Sequence, residues 1–344
     1  MDYGKNLFRK MQYEAVSGNF VENLNSNVNM LNNNKTGLCD NEIVDIDEQN
    51  EIENNQLENE LRRGSSSNML VSQSFYTQER FKVLLAFIIL VFSFFISTIS
   101  LIFTHDRLPA EKEPLPDIFL DNVKSVDYLL YVTEIQIIIV VNLCIIIIFF
   151  HKKRMIVAKR CFLLLSLLYI YRAITMSITV LPISSSTYYC SPKKSSSFLE
   201  VLQRSFWVFT GMGLTINGQQ QYCGDSIFSG HSTILMFAYL VLDEYLPKKF
   251  RWLKRLSLLN AILGMLFLLI SHSHYTIDVV LAYYITTRLF WTYHQNLNLL
   301  YNNNLNSSKE WWIGLFKYFE RNSSRSFPNE FEIPWQHHHQ ESQI

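Results

Sequence analysis

Beyond residue 80 the chain is a succession of long apolar runs separated by short polar stretches. Six runs predict helices: 81–104, 128–150, 162–181, 228–246, 256–271 and 275–293. A helix needs about twenty mostly apolar residues to cross the hydrocarbon core of a bilayer. The first run carries no charge after Lys82, the second holds Glu134 near its start, and the third contains Arg172. The fourth opens on polar residues, the fifth is short but strongly apolar, and the sixth carries Asp278 and Arg288. A seventh stretch, 198–213, contains Glu200, Arg204 and two glycines, which predicts an interfacial or loop element rather than a span. The pattern is therefore that of an all-α polytopic membrane protein, a bundle of six transmembrane helices.

The first 80 residues read differently. They are rich in Asn, Glu, Asp and Ser, and 39–60 is acidic without a Lys or Arg. Such a segment cannot bury enough apolar surface to offset its ordering entropy, so a disordered tail is expected. Three regions follow: a tail over 1–80, a catalytic membrane domain over 81–295, and a polar C-terminal tail over 296–344. In that last tail Trp311, Trp312 and Phe316 predict an interfacial helix, and the His337–His339 run reads as incidental rather than as a metal site. No initial apolar segment reads as a cleavable signal, so the run from Phe81 is expected to direct insertion.

Over the 344 residues the formal net charge is zero and 49% are hydrophobic, an average that soluble proteins also approach. Local charge says more. The stretches 151–160 and 247–255 are dense in Lys and Arg, whereas 105–127 is mainly acidic. Basic loops stay in the cytosol. Both termini are then cytosolic, and the loops 105–127, 182–227 and 272–274 lumenal. The sequons at Asn34, Asn306 and Asn322 fall on the cytosolic side and are expected to stay unmodified. Five cysteines form no CxxC pair, which argues against zinc or redox motifs. Cys190 and Cys223 share one lumenal segment where a disulfide is permitted; the sequence leaves the bonded and free states equally open.

This topology gives His231 and His274 one depth. The first opens the fourth span, which enters from the lumen; the second opens the sixth, just after the fifth has left on that side. Asp278 lies four residues after His274, on the same helical face. A carboxylate there can fix the imidazole tautomer and leave the other nitrogen as a nucleophile toward phosphorus. A second histidine can protonate a leaving alkoxide and then deprotonate an incoming hydroxyl. Ser229 and Gly230 supply small residues at a helix N-terminus, which suits an anion. Asp225 is close enough to orient a histidine or meet a cationic headgroup. Arg172 is placed to reach a phosphate or to pair with Glu134, while Arg288 lies about 20 Å below His274 and is expected to be structural. Each residue alone also has a structural reading, as a helix cap or a packed interfacial side chain. Three ionisable groups at one depth point to chemistry instead.

At these residues the chain resembles the sphingomyelin synthase family, within the type 2 phosphatidic acid phosphatase superfamily. The resemblance covers about 114–295. It runs through Pro114-Leu-Pro-Asp117, Tyr171-Arg-Ala-Ile-Thr-Met176 with Leu181-Pro182, Cys190-Ser-Pro192, Cys223-Gly-Asp225, Ser229-Gly-His231, and His274-Tyr-Thr-Ile-Asp278 on to Tyr293-His294. It implies a six-span phosphotransferase with His231, His274 and Asp278 as catalytic triad and Asp225, Ser229, Gly230, Tyr275 and Arg172 about the substrate. The implied reaction moves phosphocholine from phosphatidylcholine to ceramide, releasing diacylglycerol, without metal or cofactor. Relatives that use phosphatidylethanolamine make ceramide phosphoethanolamine. The implied home is the Golgi membrane, with plasma membrane or endoplasmic reticulum as alternatives. Membrane lipids are the expected partners, with nucleic acid excluded and a homo-oligomer left open.

Two departures stand out. Ser273 occupies a position that is often acidic in the family, and 268–273 lacks the arginine that superfamily phosphatases place before the second histidine. The second favours transfer over hydrolysis. A sterile-alpha-motif domain is not evident in 1–80. A lipid phosphate phosphatase, with water as acceptor, and a non-catalytic lipid transporter are the competing readings.

Overall fold

The long helices of the computed structural model follow the apolar runs. The structure describes residues 77–109, 113–185, 190–192, 197–216, 222–301, 312–321 and 329–332. The expected tail, the three sequons, Trp311 and the His337–His339 run lie outside the described residues, apart from the four tail residues that open the first helix. The elements are α1 (Thr77–Asp106), α2 (Tyr128–Phe150), α3 (Arg154–Ile178), α4 (Phe198–Thr210), α5 (Gly230–Tyr245), α6 (Arg251–Ile270, after a 3-10 turn at Lys248–Phe250), α7 (Thr276–Tyr301) and α8 (Ile313–Glu320). Among the described residues the one β-type pairing is a bridge between His151 and Phe331.

Four helices are long and apolar enough to cross a membrane by length and composition: α1, α2, α3 and α6 with its leading turn. Their outward faces carry exposed Phe81, Phe87, Ile139, Ile145 and Ile262. The chain is a multi-pass helical membrane protein. The other two long helices differ for a physical reason. α5 has 16 residues and is buried along most of its length, from Ser232 to Tyr245. It meets α2, α6 and α7, so its surroundings are protein and its polar residues need not be apolar enough for lipid. A Cβ at Gly264 would stand 2.5 Å from Leu235 Cδ1, so the glycine lets α6 press against α5.

The basic stretch 151–160 is mostly helix, since α3 starts at Arg154. Its last two cations, Lys159 and Arg160, are buried and paired, while Lys152 and Lys153 stay exposed. Arg160 donates to Glu320 (2.9 Å), Lys159 donates to Glu79 (2.8 Å) and to the Phe319 carbonyl (2.9 Å), and Tyr293 donates to Glu320 (3.0 Å). α8 therefore forms as the tail pattern predicts, but its apolar face is turned inward. Trp312, Phe316 and Phe319 are buried, with Phe316 edge-on to Tyr293, instead of lying in a membrane interface.

The 198–216 stretch is a short helix and turn, a hairpin packed along α1 rather than a span. α4 has 13 residues, too few to cross. Arg204 near its middle pairs with Asp106 at the end of α1 (2.5 Å), while Phe209 packs on Phe94 and Phe95 (5.4 and 5.7 Å). Eleven residues separate Phe95 from Asp106, about 17 Å along the helix. The chain then turns through Met212 and Gly213, both at positive φ, and Tyr222 reappears beside His105 (5.3 Å) and under Arg204. Cys223 at this point is disulfide-bonded to Cys190, with Cα atoms 5.7 Å apart. His105 spans the bond: one ring nitrogen faces the Ser191 carbonyl and the other Cys223, each at 3.1 Å.

Candidate active site

The loop released by that disulfide leads straight into the start of α5. Gly224 passes so close to α1 that a Cβ would meet Thr104 at 3.1 Å, and its φ of +110° favours glycine. Asp225 follows, then Ile227 at φ +72°, a costly conformation for a β-branched side chain. The strain, about 1–3 kcal/mol, is held by the Ile227 N–H donating to Asp278 Oδ1 at 2.7 Å. Ser229 caps α5, its Oγ accepting from the Ser232 N–H at 3.3 Å. Its hydroxyl serves the helix, and His231 stands in the first turn.

The second histidine is placed by a different device. Asp117, from the Pro114–Asp117 block, accepts from the Thr276 N–H (2.9 Å) and hydroxyl (2.7 Å), and so caps α7 from a distant loop. Burial alone would raise the Asp117 carboxyl; these bonds, with those from the Phe119 and Leu120 N–H groups, outweigh it and hold it below its usual range. Tyr275 is buried, its hydroxyl accepting from the Leu115 N–H (3.0 Å) and donating to the Ile183 carbonyl (3.3 Å). It therefore ties two loops to the turn that carries His274. Ser273 donates to the Leu268 carbonyl (3.1 Å) and finishes α6.

These elements bring the residues together. The His231 and His274 rings lie 5.9 Å apart. His274 Nδ1 stands 3.7 Å from Asp278 Oδ2, an electrostatic contact longer than a hydrogen bond. Asp278 spends its hydrogen bonds on the Ile227 and Tyr275 N–H groups instead. Both ring nitrogens of His231 and Nδ1 of His274 are buried without a hydrogen-bond partner.

Arg172 closes the site from α3. It donates to the Phe228 carbonyl at 2.7 Å, and its other terminal nitrogen lies 2.6 Å from Asp225 Oδ1. Of the two roles open to it, pairing with Glu134 is not the one adopted. Burial would raise the Asp225 carboxyl, but the Arg172 guanidinium, assisted by both histidines, holds it below the usual carboxylate range. Gly230 is where this guanidinium comes to rest: a Cβ there would be 2.6 Å from Arg172 Nη1. Arg288 is exposed over the Tyr284 ring, away from this group.

Glu134 is the residue that sequence reasoning placed elsewhere. It is fully buried and lies 3.5 Å from His231 Nε2. Its carboxylate accepts from the Thr215 N–H and hydroxyl, both at 2.7 Å, and from the Ile216 N–H at 2.9 Å. Each histidine thus has a carboxylate behind it, and each carboxylate is held by backbone N–H groups. One donor atom from each of Asp225, His231 and His274 lies within 4.8 Å of the others, a spacing open to a metal ion. Arg172 already neutralises Asp225 and would repel a dication. Two imidazoles, a guanidinium and a helix N-terminus suit a phosphate oxyanion better.

Residues 222–295 match the family described as PAP2 superfamily C-terminal, and that stretch carries Asp225, His231, His274 and Asp278. Over most of its length the chain is similar to named relatives. It is 37% identical to phosphatidylcholine:ceramide cholinephosphotransferase 1 of Gallus gallus and 36% identical to that of Homo sapiens, over 78% and 77% of this chain. It is 36% identical to phosphatidylcholine:ceramide cholinephosphotransferase 2 of Homo sapiens over 76% of this chain. The chain belongs to the sphingomyelin synthase family. It spans 66% of the length of the two type 1 relatives and 74% of the type 2 protein.

Proposed function

We propose that the protein transfers phosphocholine from phosphatidylcholine to the primary hydroxyl of ceramide, giving sphingomyelin and diacylglycerol. The convergence of His231, His274 and Arg172 at the start of α5 carries the reading: it unites a nucleophile, an acid–base and an anion clamp within one small volume. The relatives' names, which join phosphatidylcholine to ceramide, support the substrates.

In the first step His274 attacks the phospholipid phosphorus through Nε2, its Nδ1 side facing Asp278. The bond from phosphorus to the diacylglycerol oxygen breaks as the P–N bond forms. His231, as imidazolium stabilised by Glu134, gives its proton to the departing oxygen. In the second step His231 takes the ceramide hydroxyl proton while that oxygen attacks phosphorus. The P–N bond breaks, and His274 is restored. Arg172, already bonded at the Phe228 carbonyl, compensates the charge on the phosphoryl oxygens. Asp225 holds that guanidinium and faces the cationic headgroup. No metal or cofactor enters a step. Six long helices would thread the membrane, with the short α5 sheltered by protein and the site on the lumenal side of the Golgi membrane.

The test is purified full-length protein with labelled ceramide and phosphatidylcholine or phosphatidylethanolamine. Sphingomyelin formed with wild-type protein, and lost in both His274→Ala and His231→Ala, is expected. Ceramide phosphoethanolamine as sole product would replace the donor. Free phosphate released from phosphatidic acid without any ceramide product would replace the reaction by hydrolysis.

A further inference from the structure

The hairpin has two faces, and the second is unused by the site. Inward, its Phe209 packs against α1 and its Thr215 and Ile216 N–H groups hold Glu134. Outward it bares a row of large apolar side chains: Phe206 at 55%, Trp207 at 68%, Met212 at 67% and Ile216 at 43% exposure. Bared in water, such a row would be costly. It continues, however, the apolar outer face of α1, the helix against which the hairpin packs, where Phe87, Phe92 and Phe103 are exposed. The hairpin's contacts along α1 run from Asp106 to Phe94, about 18 Å. Past the turn the Ile216 N–H donates to the carboxylate that stands 3.5 Å from His231. An apolar track thus leads from lipid-facing surface to catalytic histidine.

We infer that the outward face of this hairpin, Phe206, Trp207, Met212 and Ile216, is the surface along which the hydrocarbon chain of the lipid substrate enters the site and is selected by length. The occupant is a hydrocarbon chain of the bilayer, because the face is continuous with α1's own lipid-facing side and ends at the reacting groups. The inference rests on the transfer reaction proposed above, and its experiment separates the two.

Full-length protein is placed in nanodiscs whose phosphatidylcholine carries bromine on the acyl chains. The emission difference between wild type and Trp207→Phe isolates this tryptophan from the other five. Quenching of that component by the brominated chains and protection from aqueous iodide are expected. Quenching by iodide alone would overturn the inference. In the kinetic arm, Trp207→Ala with Met212→Ala is assayed with short-chain and long-chain ceramides. The ratio of kcat/KM for long over short chains should fall about tenfold, as lost methylene contacts do in other apolar sites, with short-chain activity retained. An unchanged ratio would also overturn it. If wild-type protein transfers no headgroup at all while Trp207 is quenched by brominated lipid, the proposed reaction fails and the lipid contact stands.

Discussion

Gly230→Ala isolates the packing on which the anion clamp depends. Alanine in the first turn of an exposed helix would help, by about 1 kcal/mol relative to glycine. Here its methyl carbon would stand 2.6 Å from Arg172 Nη1 and 2.9 Å from Cζ, closer than such atoms approach. The guanidinium has little room to yield, being only 7% exposed and fastened at 2.7 Å to the Phe228 carbonyl and at 2.6 Å to Asp225. Displacing it breaks a largely buried ion pair, which costs about 3–5 kcal/mol when one partner is left uncompensated. Against the helical gain, a net loss of about 2–4 kcal/mol is expected. With the clamp displaced, kcat for ceramide headgroup transfer should fall about a hundredfold, the scale of losing one oxyanion donor. Thermal unfolding in detergent and a labelled-ceramide assay read the two effects. A double-mutant cycle makes the cause explicit. In an Arg172→Ala background the added methyl meets empty space, so Gly230→Ala should then cost little in either assay. Wild-type stability and turnover in Gly230→Ala, or an equal penalty in both backgrounds, would refute the steric argument.

Other expectations follow from single contacts. Glu134→Gln keeps the shape but removes the charge beside His231, and should lower kcat by about ten- to a hundredfold; because the amide NH2 then meets an N–H that now donates to carboxylate oxygen, unfolding should also come earlier by about 1–3 kcal/mol. Glu320→Ala removes the buried carboxylate that faces Arg160, about 18 Å along α3 from Arg172, while Lys159 keeps Glu79; unfolding should come earlier by about 3–5 kcal/mol while turnover of the folded fraction holds. Asp117→Asn should lower the melting temperature at neutral pH. The Asp117 carboxyl is depressed in the folded state, so its contribution is fully present above its unfolded value and disappears as pH falls through the folded one; the gap between variant and wild type should close in that acidic window. Alkylation of denatured, unreduced protein should modify Cys144 and Cys161 but spare Cys190 and Cys223, which should react only after reduction because they are bonded to each other.

What could be read from the chain followed from local chemistry. The run 128–150 coincides with α2 because its apolar pattern continues on both sides of its single charge, Glu134. His231, His274 and Asp278 were legible because they break apolar patterns at helix starts. The start of α3 was not legible: Lys159 and Arg160 look like loop charges until Glu79 and Glu320, far away in sequence, neutralise them. Glu134 carried a signal that was read too locally. A lone carboxylate in an uncharged apolar run needs a partner wherever it lies, and its partners are on the hairpin and on α5. The same limit applies to Arg172, whose choice of Asp225 over Glu134 depends on the path of the 222–229 loop. The 198–213 stretch forms a helix too short to span, yet composition alone could not tell a free surface helix from one packed along α1.

The residues of the site come from α2, α3, the loop before α5, α5 itself and the start of α7. A ribosome makes them in that order, and domains fold as synthesis proceeds. His274 and Asp278 arrive last, after five of the six long helices have left the ribosome. An unfinished or prematurely cleaved chain therefore holds Arg172 and His231 but neither His274 nor Asp278. On the proposed mechanism it lacks the attacking nitrogen, so the order of the helices would keep a half-built copy in the membrane harmless to the lipids around it.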